Sequence, residues 1–442
     1  MTLTPEAVDL LGRLEAYGVR LGLETTRGVL GALGQPQRSF PSVLIAGTNG
    51  KGSTAALLAA MASAAGYCTG LYTSPHLEDV EERIRIDGQA VPGGWVSEGL
   101  VRVVQAAERA LGHLPTYFEA LTAAAFQIFA DQRVDLAVLE VGLGGRLDAT
   151  NVSEPVLSLI TEIGLEHRQF LGQTVESIAQ EKAGILRGGC CAVAWTERPE
   201  VRRTLRRRAR ELGARLVIGP EVAAVSVVEE TGWEGQRLEL RTPVGDYRMR
   251  MALLGRHQAK NLALAALGAE ELVRQGWKGL DRRAVVQGAA ACRWPGRLER
   301  VVTPDGVSVL LDAAHNPDGA RALSRFLEGR GTSYDLLFGA LADKEVERVF
   351  PPLARLARRV VLTAPDTPRA IPPESLRRVL GCAEAVVRPE SAAALSAALD
   401  GVGDLLVVCG SIYLAGEIRA LLRQRFGTPQ AAKEVSLYDS ES

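Results

Sequence analysis

The sequence predicts an α/β fold in two domains, and three observations carry that prediction. Short β-branched runs alternate with Ala/Leu-rich helical stretches along most of the chain, the pattern of a largely parallel sheet covered by helices. That rhythm breaks between residues 222 and 254, and a helix-breaking Trp294-Pro295-Gly296 interrupts it again. With 442 residues and 47% hydrophobic content, the chain can bury two or three cores without metal or disulfide staples, which excludes disorder as its dominant state.

In the first half, strands are expected at SVLIA, DLAVLEV, VLSLIT, CCAVAW and ARLVIG, separated by helices around residues 51–65, 116–131, 174–186 and 199–212. From Val222 to Leu254 the text alternates as strands do, with turns at Thr231-Gly232 and Val244-Gly245-Asp246, so a small antiparallel sheet is appended there. A long Ala/Leu helix follows over 257–275. These elements form a P-loop-containing, doubly wound N-terminal domain over residues 1–295. After the Trp-Pro-Gly break, LERVV-TPDG-VSVLLDA reads as a hairpin. The β/α alternation then resumes through YDLLFGA, RVVLTA, AEAVVRP and DLLVVCG to a final helix over 411–425, a smaller Rossmann-like C-terminal domain over 296–425. Residues 426–442 are polar and are expected to fray.

Composition removes several function classes. With 51 Lys+Arg against 52 Asp+Glu, the formal charge of −1 argues against a nucleic-acid partner held by a basic surface. The six arginines of PEVRRTLRRRARELG do not change this, because Val201, Leu205, Ala209 and Leu212 share one helical face and leave the arginines to solvent. No apolar run reaches the roughly 18 residues of a spanning helix, so no membrane partner is expected. Cys68, Cys190, Cys191, Cys292, Cys382 and Cys409 are scattered without a Cys-x-x-Cys pair and read as thiols of a cytoplasmic protein.

Chemistry concentrates at strand ends. SVLIAGTNGKGSTAALLAAM is a buried strand, a glycine-rich turn and a helix beginning at Lys51. Gly47, Gly50 and Gly52 let the backbone approach an anion, and Lys51 adds a point charge. A strict Walker A places Ser/Thr directly after Gly-Lys; here Gly52 precedes Ser53 and Thr54, which disfavours a generic GTPase or kinase. Glu140 closes the strand DLAVLEV, where a carboxylate suits Mg²⁺ or serves a loop. His167 follows VLSLIT in a turn and reads as a core residue or a ligand. Lys182 lies in the apolar-faced helix VESIAQEKAGIL, an awkward place for an ammonium unless Glu176 or Glu181 pairs with it. In the second domain Asp312 ends a strand, His315-Asn316-Pro317 opens a helix and Arg297 sits on the linker, which together suggest an ATP site completed by domain closure.

The strings AGTNGKGS, YTSPHL, TYFEALTAAAF, EVGLGGRLDATN, IGLEHRQFLGQTVESIAQEKAGI, GRHQAKNLALA, WPGRLE, DAAHNPDG and GSIYLAGEIR, spanning about residues 17–425 in order, resemble the folylpolyglutamate synthase/dihydrofolate synthase family of the Mur ligase superfamily. The resemblance implies an ADP-forming ligase that joins L-glutamate to 7,8-dihydropteroate or to the γ-carboxylate of a reduced folate, through an acyl phosphate. It implies that Asn49, Gly50, Lys51, Gly52, Ser53, Asn261, Arg297 and Asp312 bind ATP, and that Ser74, Glu140, His167 and a carbamylated Lys182 hold two Mg²⁺. It implies that His315 acts with Lys182 in catalysis, that His315 and Ser411 lie near the glutamate, and that the pterin lodges near Phe118, Glu119, Arg146 and Asp148. Two positions depart from the family's usual residues: Glu166 stands before His167 where Asp is usual, and Glu345 stands in LADKE where Asp is common. Both departures keep the charge. The expected protein is a cytoplasmic monomer. Two other readings stay open: a superfamily ligase with another acceptor, such as a cell-wall precursor, and a switch protein that hydrolyses ATP without joining anything.

Overall fold

The computed structural model describes residues 3–427, and the expected fraying of the tail beyond 427 falls outside them. The chain divides into two compact units. Among the described residues the first holds 3–229, 237–252 and 257–293; the second holds 230–236, 253–256 and 294–427.

In the first unit, β1 (Ser42–Ala46), β2 (Thr69–Tyr72), β3 (Ile84–Ile86), β4 (Gln89–Ala90), β5 (Leu136–Glu140), β6 (Pro155–Ile160), β7 (Cys191–Ala194) and β8 (Arg215–Ile218) form one sheet of order β4-β3-β2-β5-β1-β6-β7-β8. The six strands from β2 to β8 in that order run parallel, and only β3 and β4 are antiparallel. β1 and β5 are buried at every position, as strands covered on both faces must be, and this is why they read as unbroken apolar runs. The chain leaves β1 toward β2 on one side, while β6, β7 and β8 extend the other side, so β1 lies at the switch in winding direction, where open α/β sheets bind ligands beyond the carboxyl ends. The helix Lys51–Ala64 that follows β1 buries most of its length, which its Ala/Leu composition permits on nearly every face. Beside this sheet, β9 (Ala224–Glu230), β10 (Gln236–Arg241) and β11 (Asp246–Met251) make the small second sheet, and β10 alternates buried and exposed residues along its length.

The second unit carries β12 (Glu299–Val302), β13 (Ser308–Leu311), β14 (Tyr334–Phe338), β15 (Ala357–Leu362), β16 (Val386–Val387) and β17 (Leu405–Cys409), in the order β12-β13-β17-β14-β15-β16. β12 and β13 are the antiparallel hairpin, and all other pairings are parallel. Apolar clusters cover both faces, one around Leu323, Phe338 and Phe350 and one around Leu395, Leu414 and Ile418. No helix among the described residues is long and apolar enough to cross a membrane.

Candidate functional site

The turn after β1 is shaped by what lies beneath it. Gly47 has φ 151°, and a Cβ there would stand 1.7 Å from Thr161 Oγ1, at the end of β6. Gly50 has φ 89° and caps the helix Lys51–Ala64; its missing Cβ leaves room for the Asn261 side chain, whose Oδ1 would lie 2.2 Å from that atom. Both positions therefore require glycine for conformation and for space. The Thr48 hydroxyl donates to Gly164 O and accepts from Gly164 N, each at 3.1 Å, and Thr48 N donates to Glu162 O at 2.9 Å. The turn is thus fastened to the β6 turn, and the amino end of the helix Lys51–Ala64 is where the backbone dipoles favour an anion. Lys51 Nζ donates to Thr48 O at 3.2 Å, folding the cation back over the turn.

Lys182 reaches the same turn from the end of the helix Val175–Lys182. Thr174 and Ser177 form a capping box at its start. The Lys182 side chain is buried, and its Nζ donates to Gly47 O at 2.6 Å. Burial holds this ammonium down at about 7; Lys51 adds to the shift, and Glu166 and Asp148 oppose it. The Glu181 carboxylate is paired with Arg146 at 2.9 Å. Lys182 is therefore a poorly stabilised cation beside the glycine-rich turn after β1.

Glu140, buried at the end of β5, accepts from Ser74 N at 3.0 Å, so the turns after β5 and β2 meet. His167 adopts φ 48° at the start of the short helix Arg168–Leu171, with Nε2 3.6 Å from Glu166 Oε1. The Glu140 carboxylate and the Ser74 hydroxyl are oxygen donors of the kind a hard cation prefers. Among the described residues there is no cluster of three or more His, Cys, Asp or Glu that could hold a metal ion.

The four pterin candidates also perform local structural tasks. Glu119 Oε2 accepts from Thr116 N and Thr116 Oγ1, both at 2.8 Å, closing the capping box of the helix Tyr117–Asp131. Phe118 packs where a Cβ on Gly142 would be, 2.5 Å from its ring, and lies 6.0 Å from the Tyr72 ring centre. Asp148 is buried and accepts from Leu143 N at 2.8 Å and from Thr150 N and Oγ1 at 3.0 and 2.6 Å, shaping the Gly142–Asn151 loop; burial pushes its carboxyl up. Arg146 lies on that loop, exposed and bound to Glu181. One residue escaped the sequence reading: buried Gln258 donates to Ser53 Oγ at 3.2 Å and accepts from Asn261 Nδ2 at 2.8 Å. Its signal was the helical spacing of Gln258 and Asn261 in GRHQAKN, one turn apart.

Arg297, Asp312, His315 and Ser411 belong to the second unit. Asp312, just beyond β13, accepts from Leu298 N and Ala314 N, both at 2.9 Å; burial raises its carboxyl and Arg297 opposes the rise. His315 Nδ1 lies 2.8 Å from Ala313 O. Ser411 follows β17 and caps the helix Ile412–Phe426, its Oγ accepting from Tyr413 N at 3.2 Å.

A family profile described as Mur ligase middle domain matches residues 45–269, and one described as Mur ligase, glutamate ligase domain matches 296–412. The chain is similar to the dihydrofolate synthase/folylpolyglutamate synthase of Bacillus subtilis, 34% identical over 425 residues, covering 93% of this chain and 97% of that protein. The solved folylpolyglutamate synthase of Mycobacterium tuberculosis complexed with ADP and AMPPCP superposes with a TM-score of 0.85 at 33% identity, covering 96% of this chain and 100% of that one. Escherichia coli FolC in complex with DHPP and ADP gives 0.84 at 30% identity, with 96% and 100% covered.

Proposed function

We infer an acyl-phosphate route from one premise: this chain belongs to the folylpolyglutamate synthase/dihydrofolate synthase family of Mur ligases, and its activity is ATP-dependent glutamate ligation. The acceptor is 7,8-dihydropteroate, or the γ-carboxylate of a reduced folate. Its carboxylate oxygen attacks the γ-phosphorus of ATP, the bond to the β-phosphate oxygen breaks, and ADP leaves. The amine of L-glutamate then attacks the acyl carbon and gives up a proton, while the C–O bond to phosphate breaks. The product is an amide.

One observation carries this reading: a buried lysine and a phosphate-type turn share a hydrogen bond, Lys182 Nζ to Gly47 O at 2.6 Å. Bringing a carboxylate to a polyphosphate requires positive charge, which Lys51 and the metal would supply, while Lys182 stands at the same turn as an amine open to carbamylation. Asn49, Gly50, Lys51, Gly52 and Ser53, with Asn261, supply backbone donors, an ammonium and a hydroxyl for the phosphates; in the second unit Arg297 and Asp312 are the proposed nucleotide contacts. Ser74, Glu140 and His167 would hold Mg²⁺, which neutralises phosphate charge when bound. Lys182, near neutrality at physiological pH, presents a free amine to CO₂; the N–C bond forms, a proton leaves, and the carbamate oxygens would serve a second Mg²⁺. Phe118, Glu119, Arg146 and Asp148 surround the pterin, and His315 and Ser411 receive the glutamate. A cytoplasmic location fits six free thiols, and we propose a monomer.

The test is ADP release with ATP and Mg²⁺ as glutamate and either dihydropteroate or tetrahydrofolate are added in turn. Turnover that needs both substrates is the expected result. Turnover without either would overturn the ligase reading, and use of one acceptor alone would narrow it. Lys182→Ala is expected to abolish ligation, with partial recovery in bicarbonate; normal turnover in this variant rejects the carbamate.

A further inference from the structure

The glutamate-binding residues proposed above supply an imidazole and a hydroxyl, yet L-glutamate brings two carboxylates. A permanent cation is missing from that set. Three turns lie side by side at the carboxyl end of the second sheet, because β13, β17 and β14 are adjacent and parallel. They are Asp312–Asn316 after β13, Gly410-Ser411 after β17, and the segment 339–345 after β14. Gly410 N donates to Ala314 O at 2.9 Å, and a Cβ on Gly410 would stand 2.5 Å from Gly339 O, so the middle turn touches both others.

The third turn contains Lys344, in the LADKE string that the reaction scheme leaves unused. Its backbone is pinned, with Ala342 N donating to Arg369 O and Ile371 N to Ala340 O, each at 2.9 Å. The Lys344 side chain is only 14% exposed, and its Nζ lies 3.1 Å from the carboxylate of its neighbour Asp343. Arg369 donates to that same carboxylate at 2.9 Å. Burial raises the Asp343 carboxyl, but Arg369 and Lys344 more than offset this and hold it at about 2. One carboxylate thus answers two cations, so the Lys344 side chain can also meet a second anionic partner.

We propose that Lys344, on a turn adjoining those that carry His315 and Ser411, binds a carboxylate of the incoming L-glutamate. The assignment rests on the ligase reading. A flexible point charge suits an amino acid that must enter and leave, whereas Arg369 is committed to holding Asp343 and the loop.

Losing a charged hydrogen bond of this kind is expected to raise the KM for glutamate roughly tenfold to a hundredfold. The experiment measures KM for glutamate and for ATP in wild type, Lys344→Met and Lys344→Arg. Lys344→Met is expected to raise the glutamate KM alone, and Lys344→Arg to recover part of it. A glutamate KM within twofold of wild type, or an equal rise for ATP, overturns the assignment. Should either variant fail to fold, wild-type protein decides the matter: saturating glutamate with nucleotide is expected to protect Lys344 from amine acylation, read by mass spectrometry, and unchanged labelling overturns it. If wild type shows no glutamate-dependent ADP release, the ligase reading itself fails; if it does and Lys344→Met behaves normally, only this assignment fails.

Discussion

Burying an ammonium costs free energy, and Lys182 is where this chain bears that cost most plainly. Its folded pKa of about 7 lies below the ordinary 10.5. Between those values the unfolded chain binds more protons than the folded one, so stability rises with pH across that window. Lys182→Met removes the titration. A shift of that size corresponds to about 5 kcal/mol, against about 1–3 kcal/mol for leaving the Gly47 carbonyl without its donor. Metal-free, bicarbonate-free Lys182→Met is therefore expected to unfold a few degrees above wild type at pH 6, with the gain gone by pH 10. Thermal scans at both pH values check this, and a gain independent of pH would contradict it. Gly47 presents the opposite case. Gly47→Ala drives a methyl into Thr161 Oγ1 and strains φ 151°, so it is expected to destabilise by about 2 kcal/mol or more and weaken ATP binding. Adding Thr161→Ala should recover part of the loss, because the Oγ1 overlap vanishes while the contact with the position-161 Cβ at 2.9 Å and the backbone strain remain; a double-mutant cycle with no coupling would refute the clash.

At the scale of elements, caps decide how firmly the site-bearing helices start. Thr116 and Glu119 close the box on the helix Tyr117–Asp131, which places Phe118 against Gly142. Thr116→Ala is expected to cost about 1 kcal/mol of stability with the KM for ATP unchanged, measured by denaturant unfolding alongside kinetics. What the sequence revealed at this scale follows from burial. β1, β5 and β17 are buried at every position, so each is a short continuous apolar run bounded by turn residues. β3 and β4, three and two residues long, have no room for a period, and neither announced itself. The same contrast holds in the site. The glycine turn and Lys182 were visible because glycine clusters and a lysine on an apolar face conflict with local expectation. Gln258 was not, because a polar residue in a helix reads as solvent-facing until Ser53 and Asn261 are found beside it.

At the scale of the whole molecule, a cut through Trp294-Pro295-Gly296 divides the sequence, but compactness divides the chain differently. Residues 230–236 and 253–256 belong with the second unit although they precede that cut. Trp233 lies 6.0 Å from the Phe326 ring centre, Arg330 stands 4.1 Å over the Trp233 ring, and Arg330 Nη2 donates to Gly232 O at 2.5 Å. Leu254 joins the same apolar cluster. No periodicity in a seven-residue turn segment could reveal this, since the choice is made by a distant face rather than by neighbours in sequence. A fragment beginning at Trp294 would lack Trp233 and Leu254 and leave Phe326 and its neighbours bare. Such a fragment is expected to bind a hydrophobic dye and to unfold with low cooperativity. In the full chain, Trp233→Ala is expected to lower the stability of the second unit by about 3 kcal/mol, with hydrogen exchange loosening in the helix Pro317–Arg330 before it does in β1. Uniform loosening of both elements would mean that Trp233 serves the molecule at large, and unchanged exchange in that helix would remove it from the second core altogether.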